Sequence, residues 1–526
     1  MPPFPGIRPP AIEQAGAGAA PDVAIVAAAL AAARVGGRFW GRQATGAPRL
    51  VVATERVHLA EADEDSIVVA GKPGIARRAA DRGLAVAPAD ADPWSLIDGA
   101  TAVAGDLDHE VAILALAAGK AARIDAGARA ALLHWHLIAG RSWRDPYGGD
   151  AIDIVTAIER LAFWRRWIDA NRGIVAGAGI AWWKRAAIDR FLWDGARRLP
   201  REHDRKALAR ARAAGGALAV WPAKAAAGLA AEAAAAGVAT VRIEDGFLRS
   251  PGLGADLMPP LSVVLDRAGI YYDPGGPSDL EAILATADFP PVLTARAAAL
   301  RARIVAGGVG KYGASATDAP LDLAGAAGRR VVLVPGQVED DQSVLLGGDG
   351  LGNLALLARV RAAEPDAFIL FRPHPDVEAG HRKGAVADAD ALAHVDRVSR
   401  GGALASMLAQ VDAVHVLSSL TGFEALLRGR EVAVHGRPFY AGWGLTRDLG
   451  SIMLRRNKKL TLDELVAGAL ILYPRYLDPA GGLPCPVETY MDNLPAAAAR
   501  PVPPLVRLRR LQGILRRRIA WGYLAR

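Results

Sequence analysis

Short apolar runs alternate along this chain with longer segments whose apolar residues recur at helical spacing, the pattern of βα units and hence of doubly wound α/β domains. Residues 1–20 are rich in Pro, Gly and Ala and are expected to be disordered. A first block, residues 21–150, carries β-type runs at 50–53, 66–70 and 102–104. A second, 151–327, opens on DIVTAIERLAFWRRWIDANR, where Ile154, Ile158, Leu161 and Trp164 or Trp167 form an apolar stripe of the kind that packs into a core. Its strands are predicted at 173–179, 217–221, 238–243 and 261–265. A third block, 328–495, has strands at 331–335, 367–371, 413–417 and 432–434 and a helix over 353–364. A chain of 526 residues is too long for one core, in keeping with several domains.

Polar residues gather where these runs stop. The run 238–243 ends in Glu244, Asp245 and Gly246, which places a carboxylate pair at the carboxyl end of a strand, where open α/β sheets collect ligands. Arg249 and Ser250 follow, offering a planar fork and a hydroxyl to an anion. A second strand runs into Asp266, so polar groups from two strand ends are expected to converge. In the third block VVLVP leads to Gln337, Glu339, Asp340 and Ser343, and RPHPDVE holds Arg372 and His374 in a turn stiffened by Pro373 and Pro375. After 413–417, Ser418, Ser419, Thr421 and Gly422 open a helix whose free amides suit a phosphate. Glu424 either accepts bonds from ribose hydroxyls or closes a capping box with Thr421. Lys311, flanked by glycines in GVGKYG, suits an anion or a linker turn, and Lys184 and Arg185 face either a phosphate or solvent. The pair Gly177 and Gly179 is not a dinucleotide fingerprint, because Trp182 stands where the third glycine belongs.

Composition narrows the class. Hydrophobic residues are 52% and charged residues 22%, a globular balance without a charge-free apolar run long enough to cross a bilayer. MPPFPGIRPP lacks the pattern of a signal peptide, and the single Cys485 excludes internal disulfides and thiolate metal clusters, so a cytosolic protein is expected. The formal charge is +8, and residues 496–526 concentrate it: Arg507, Arg509, Arg510, Arg516, Arg517, Arg518 and Arg526 accompany Leu505, Leu508, Leu511, Leu515 and Ile519 at helical spacing. This basic amphipathic helix either lies on an anionic membrane face or packs on its own domain. With the rest of the chain nearly neutral, nucleic acid is not an expected partner.

WRDPYGGD (143–150) and YLDPAGGL (476–483) match in register, which implies that the first block is the carboxyl half of a duplicated module. In that copy SSLTG is replaced by AGDLD, with carboxylates where hydroxyls would face an anion.

Together, EDGFLRSPGLGADLMPPLSVVLDRAGIYYDP, GQVEDDQS, RPHPDVEAGHRKG, SSLTGFEALLRG, GRPFYAGWGLT and LTLDELVAGALILYPRYLDP resemble the capsule polysaccharide synthesis family, specifically its KpsC-type retaining β-Kdo transferases. The resemblance implies a GT-B-like pair of Rossmann-like domains facing a cleft, here preceded by a partial, degenerate α/β repeat. It implies CMP-Kdo as donor, a Kdo-bearing lysophospholipid as acceptor, and peripheral association with the inner face of the cytoplasmic membrane beside other capsule assembly proteins. Asp245 is then the better match for the nucleophile, with Glu244 as alternative nucleophile or as acid/base. His374, Lys311 and the helix start at 418–422 would meet the departing CMP, and Arg249 the Kdo carboxylate. Fixed cations and amides supply the stabilisation, so no metal or other cofactor is expected. A non-catalytic assembly or export factor, or a transferase for another CMP-activated acid sugar, are the alternatives.

Overall fold

The computed structural model describes residues 1–7, 13–15, 21–200, 202–248, 258–310, 313–314, 321–380 and 382–498. Arg249, Ser250, Lys311 and most of the 496–526 segment lie outside the described residues. The chain divides into two compact units, residues 1–175 with 188–200, and residues 176–187 with 201–526.

The first unit holds four parallel strands, β1 (Arg49–Ala53), β2 (Ser66–Ala70), β3 (Ala85–Val86) and β4 (Ala102–Gly105), in the order β3-β2-β1-β4. Helix α1 (Glu110–Ala117) follows β4, capped by His109. The unit break lies at 175 and not at 150, because α2 (Ile154–Asp169) turns Ile154, Ile158, Trp164 and Ile168 inward and its Arg165 bonds the fully buried Asp92 at 2.6 Å.

The second unit contains two sheets. In the first, β5 (Ile174–Ala178), β6 (Ala217–Val220), β7 (Thr240–Asp245) and β8 (Ser262–Asp266) are joined by two late strands, β15 (Pro474–Leu477) and β16 (Pro484–Cys485), in the order β16-β15-β8-β7-β6-β5. The second sheet is all parallel: β9 (Val331–Pro335), β10 (Phe368–Arg372), β11 (Arg397–Val398), β12 (Ala413–Val416), β13 (Glu431–Val434) and β14 (Arg447–Asp448), ordered β11-β10-β9-β12-β13-β14. That order reverses between β9 and β12, the switch point where doubly wound sheets bind ligands. Its helices include α4 (Gln342–Gly347), α5 (Asn353–Ala363), α6 (Pro375–Glu378) and α7 (Leu420–Leu427), whereas α3 (Asp279–Thr286) and α8 (Val487–Ala498) accompany the first sheet. Its core is nearly all aliphatic, with Val332, Val334, Leu357, Ile369 and Leu417 wholly buried.

Two expectations change. The acid pair belongs to β7 itself, Glu244 opposite Val264 and Asp245 opposite Val263. Asp266 does not converge with it: β8 runs antiparallel to β7, so Asp266 pairs with Arg242 at the far end. There it is buried, accepts bonds from the amides of Gly269 and Asp279 and the Tyr473 hydroxyl, and has its pKa raised chiefly by burial.

The sequence echo is also a structural one. Asp145 N donates to Asp150 O, Gly149 N to Asp145 O, and Tyr147 N to Asp145 Oδ1. Asp478 makes the corresponding three bonds with Leu483, Gly482 and Ala480. Each turn closes a hairpin of one register, Trp143 with Ile152 and Tyr476 with Cys485, and a helix, α2 or α8, begins just after it. Glu13–Ala15 pairs with Arg141–Arg144 as β8 pairs with β15.

Inside the second sheet His415 Nδ1 and His435 Nε2 lie 3.0 Å apart, both buried, and burial pushes each pKa from 6.5 down to about 4. Between those values the unfolded chain binds more protons than the folded one, so stability falls as pH falls from 6.5 toward 4, by at most about 1.4 kcal/mol per pH unit for each ring. The expected result is a urea midpoint lower at pH 5 than at pH 7, with a smaller drop in His435→Gln; equal drops in the two proteins contradict it.

Candidate active site

Strand β7 aims its last residues at the second sheet. Asp245 shares a face with the buried Val241 and Ile243, while Glu244 lies on the other and turns its Oε1 back to accept the Asp245 amide at 2.9 Å. Gly246 is required next: a Cβ there would meet Ser262 Oγ at 1.9 Å, and its amide donates to Ser262 O at 3.0 Å. Asp245 Oδ1 lies 3.0 Å from Lys184 Nζ, at the end of the one-turn segment Trp182–Lys184 that follows β5. The Lys184 ammonium sits 3.3 Å over the Trp221 ring and 5.2 Å from that of Trp183. Lys184 is buried rather than solvated, and the folded chain pairs it with the acid.

A cavity of about 250 Å³ lies between this strand end and the second sheet. Within the second unit, the half built on the first sheet supplies Ala223, Glu244, Asp245, Gly246, Phe247, Tyr271 and Tyr272 to its wall, and the half built on the second sheet supplies Asp341, Gln342, Ser343, Ser418, Leu420, Pro438 and Phe439. Burial first and the Glu244 carboxylate second push the Tyr271 and Tyr272 phenols far above their usual range, so both stay neutral. Phe247 stacks on Phe439 with centroids 4.5 Å apart, and Tyr271, Phe423 and Tyr473 close around them. Beside this seam Glu281 of α3 bonds Arg455 at 2.7 Å and the buried Arg456 at 2.9 Å, and Arg456 reaches Pro438 O. Burial alone would raise the Glu281 pKa; the two guanidiniums outweigh it and hold it low.

At the switch point Gln337 Oε1 accepts the Ser418 amide at 3.0 Å, tying the end of β9 to the start of α7. Ser418 Oγ and Gln337 Nε2 are buried without a protein hydrogen-bond partner, which suits a polar ligand at this end. A Cβ on Gly336 would stand only 3.0 Å from His374 N, so the His-Pro corner abuts the end of β9.

Of the residues singled out by sequence, Glu244, Asp245, Ser343 and Ser418 meet at the cavity wall. His374 Nδ1 accepts the Asp376 amide and caps α6, which begins at Pro375. Arg372 donates to Gly402 O, and burial lowers its pKa against the pull of Glu378 and Glu424. Glu339 is used locally, accepting the Asn353 amide at the start of α5, and Asp340 pairs with Arg382 at 3.0 Å. The third acid of that run, Asp341, reaches the cavity and caps α4. Helix α7 is capped by Ser419, whose Oγ accepts the Thr421 amide, so the capping box of Thr421 with Glu424 does not form. Gly422 lies against the Tyr440 hydroxyl, and Thr421 and Glu424 are buried in the helix. Trp221 and Asp341 escaped the sequence-based assignment, and Lys184 was singled out there without its acid partner.

Residues 216–302 and 296–476 match the family model described as capsule polysaccharide biosynthesis protein. The chain is 38% identical over 336 residues to the capsule polysaccharide modification protein LipA of Neisseria meningitidis serogroup A, covering 64% of this chain and 47% of LipA. It is 44% identical over 238 residues to the lipopolysaccharide-processing protein LpsZ of Rhizobium meliloti, covering 45% of this chain and 54% of LpsZ. The chain thus spans about half the length of these relatives. Among solved structures it is similar to Thermosulfurimonas dismutans KpsC, β-Kdo 2,7 transferase, at 33% identity and a TM-score of 0.50 over 62% of this chain and 99% of that one.

Removing the Phe247 ring opens a void in the seam between the two sheets. Phe247→Ala is expected to lose about 3–5 kcal/mol in chemical denaturation; a loss below about 1 kcal/mol would mean that the seam does not hold the two halves together.

Proposed function

The chain belongs to the capsule polysaccharide biosynthesis family, and from that premise we propose that it is a retaining glycosyltransferase that moves β-Kdo from CMP-Kdo to a Kdo-bearing lysophospholipid. The observation that carries this reading is the position of Asp245, at the carboxyl end of β7 on a cavity whose opposite wall is the switch point of a parallel sheet. The similarity to a β-Kdo transferase supports the choice of sugar.

Transfer proceeds in two displacements. An Asp245 carboxylate oxygen attacks the anomeric carbon of Kdo; the bond from that carbon to the phosphate oxygen breaks, and CMP leaves with the electron pair. The acceptor hydroxyl then attacks the same carbon from the vacated face, the bond to Asp245 breaks and its pair returns to the carboxylate. Glu244, held by the Asp245 amide, takes the acceptor proton and passes it to solvent. Two inversions give net retention. The amides at the start of α7, Ser418, Gln337 and the Arg372–His374 corner would bind the nucleotide phosphate, with Arg249 and Lys311 completing the donor site. The scheme calls for no metal. A lipid-borne acceptor places the protein at the inner face of the cytoplasmic membrane; among the described residues no helix is long and apolar enough to cross it.

The test is an assay with CMP-Kdo generated in situ and a synthetic Kdo-terminated acceptor. The wild type is expected to form a β-linked product, Asp245→Ala to lose at least about 1,000-fold in rate while keeping its fold, and Glu244→Gln to lose about 100-fold. An Asp245→Ala protein that still transfers, or an α-linked product, contradicts the mechanism. A wild type that binds CMP without turnover favours a non-catalytic role in capsule assembly.

A further inference from the structure

The two displacements leave one feature of the site unused. Lys184 is buried, its ammonium lies 3.0 Å from Asp245 Oδ1, and it rests on the face of Trp221. A cation held against a nucleophilic carboxylate weakens that nucleophile unless the reaction supplies a second negative charge. Kdo does so: it is a 2-keto acid sugar, and the carbon that Asp245 attacks carries the sugar's own carboxylate. Bringing the two carboxylates to bonding distance in a partly buried cavity would otherwise be opposed by their repulsion.

Resting on the reading of Asp245 as nucleophile, we infer that Lys184 is the counter-charge that admits a 2-keto acid sugar, shared between Asp245 and the sugar carboxylate while both are ionised and left to the sugar carboxylate once Asp245 has become a neutral ester. The geometry suits this exchange. The Trp221 and Trp183 rings stabilise the ammonium through their π faces without neutralising it. The contact with Asp245 is made by an ammonium on a flexible stem, not by a planar fork, so the cation can shift between neighbouring oxygens. A sugar without a carboxylate on its anomeric carbon gains nothing from this arrangement. Lys184 is therefore a positioning and specificity-determining residue for acid sugars as a class.

The experiment pairs a change in the protein with a change in the ligand. Equilibrium binding of the methyl β-ketoside of Kdo, and of the same compound with its carboxylate converted to a carboxamide, is measured with CMP present for wild type, Lys184→Met, Lys184→Gln and Lys184→Arg. The wild type should prefer the carboxylate by about tenfold or more. The Met and Gln variants should bind both compounds alike, and Arg should restore part of the preference. In the transfer assay Lys184→Met should lose about 100-fold in kcat/KM. If Lys184→Met fails to fold, the Gln variant, which keeps a hydrogen bond to Asp245, carries the comparison. A carboxylate preference equal in wild type and the neutral variants overturns the inference, even where turnover falls. A wild type that shows no Kdo transfer overturns the proposed reaction instead, so the two failures are distinguishable.

Discussion

The stacking of Phe247 on Phe439 sets the spacing of everything else in the site. Phe247 lies two residues past Asp245, and Phe439 follows β13 of the other sheet, so a ring contact of 4.5 Å joins the strand that bears the acid to the wall opposite. Aromatic rings at a seam bury much area with few rotamers to freeze, which makes such a contact stiff as well as strong. The paired Arg455 and Arg456 on Glu281 add a polar tie on the same side, costly to break because Arg456 would be left buried without its carboxylate. These two contacts tie the opposite walls of the cavity to each other.

Charge is distributed across that gap with a division of labour. The first sheet brings acidic and basic groups, Glu244, Asp245 and Lys184, to its edge at the cavity. The second sheet offers amides, a serine hydroxyl and a carboxamide at its switch point, together with the Arg372–His374 corner. In the first compact unit the β3-β2-β1-β4 sheet repeats the β11-β10-β9-β12 order, and its hairpin at 143–152 repeats the one at 476–485. There Lys72, before Pro73, stands at the N-cap position of the helix after β2 without a side-chain bond, where His374, before Pro375, caps the helix after β10 with its ring. Strand order and hairpin turn are alike in the two places, while the polar residues at the strand ends differ.

Much of this was legible in the sequence, because buried parallel strands are short β-branched runs with abrupt ends. The runs at 66–70 and 331–335 coincide with β2 and β9, and the Asp145 and Asp478 turns matched in letters before they matched in hydrogen bonds. Pairing direction was not legible. The side-chain period of β8 is the same parallel or antiparallel, and only its partner decides that Asp266 lies far from Asp245. Nor does a run of three acids reveal which one faces inward; the turn after β9 gives that place to Asp341 and turns Glu339 and Asp340 to Asn353 and Arg382. The Lys184–Asp245 pair joins residues far apart in the chain, and nothing local to either announces the other.

The central claim is that Asp245 bonds to the sugar. The most direct test is to incubate the wild-type protein with CMP-Kdo and no acceptor, quench in acid, and locate any covalent modification by mass spectrometry of the intact protein and its peptides. One Kdo residue added per chain is expected, on the peptide containing Asp245 and on that side chain. An adduct on Glu244, or an unmodified protein in a preparation that transfers Kdo at full rate once acceptor is supplied, would contradict it.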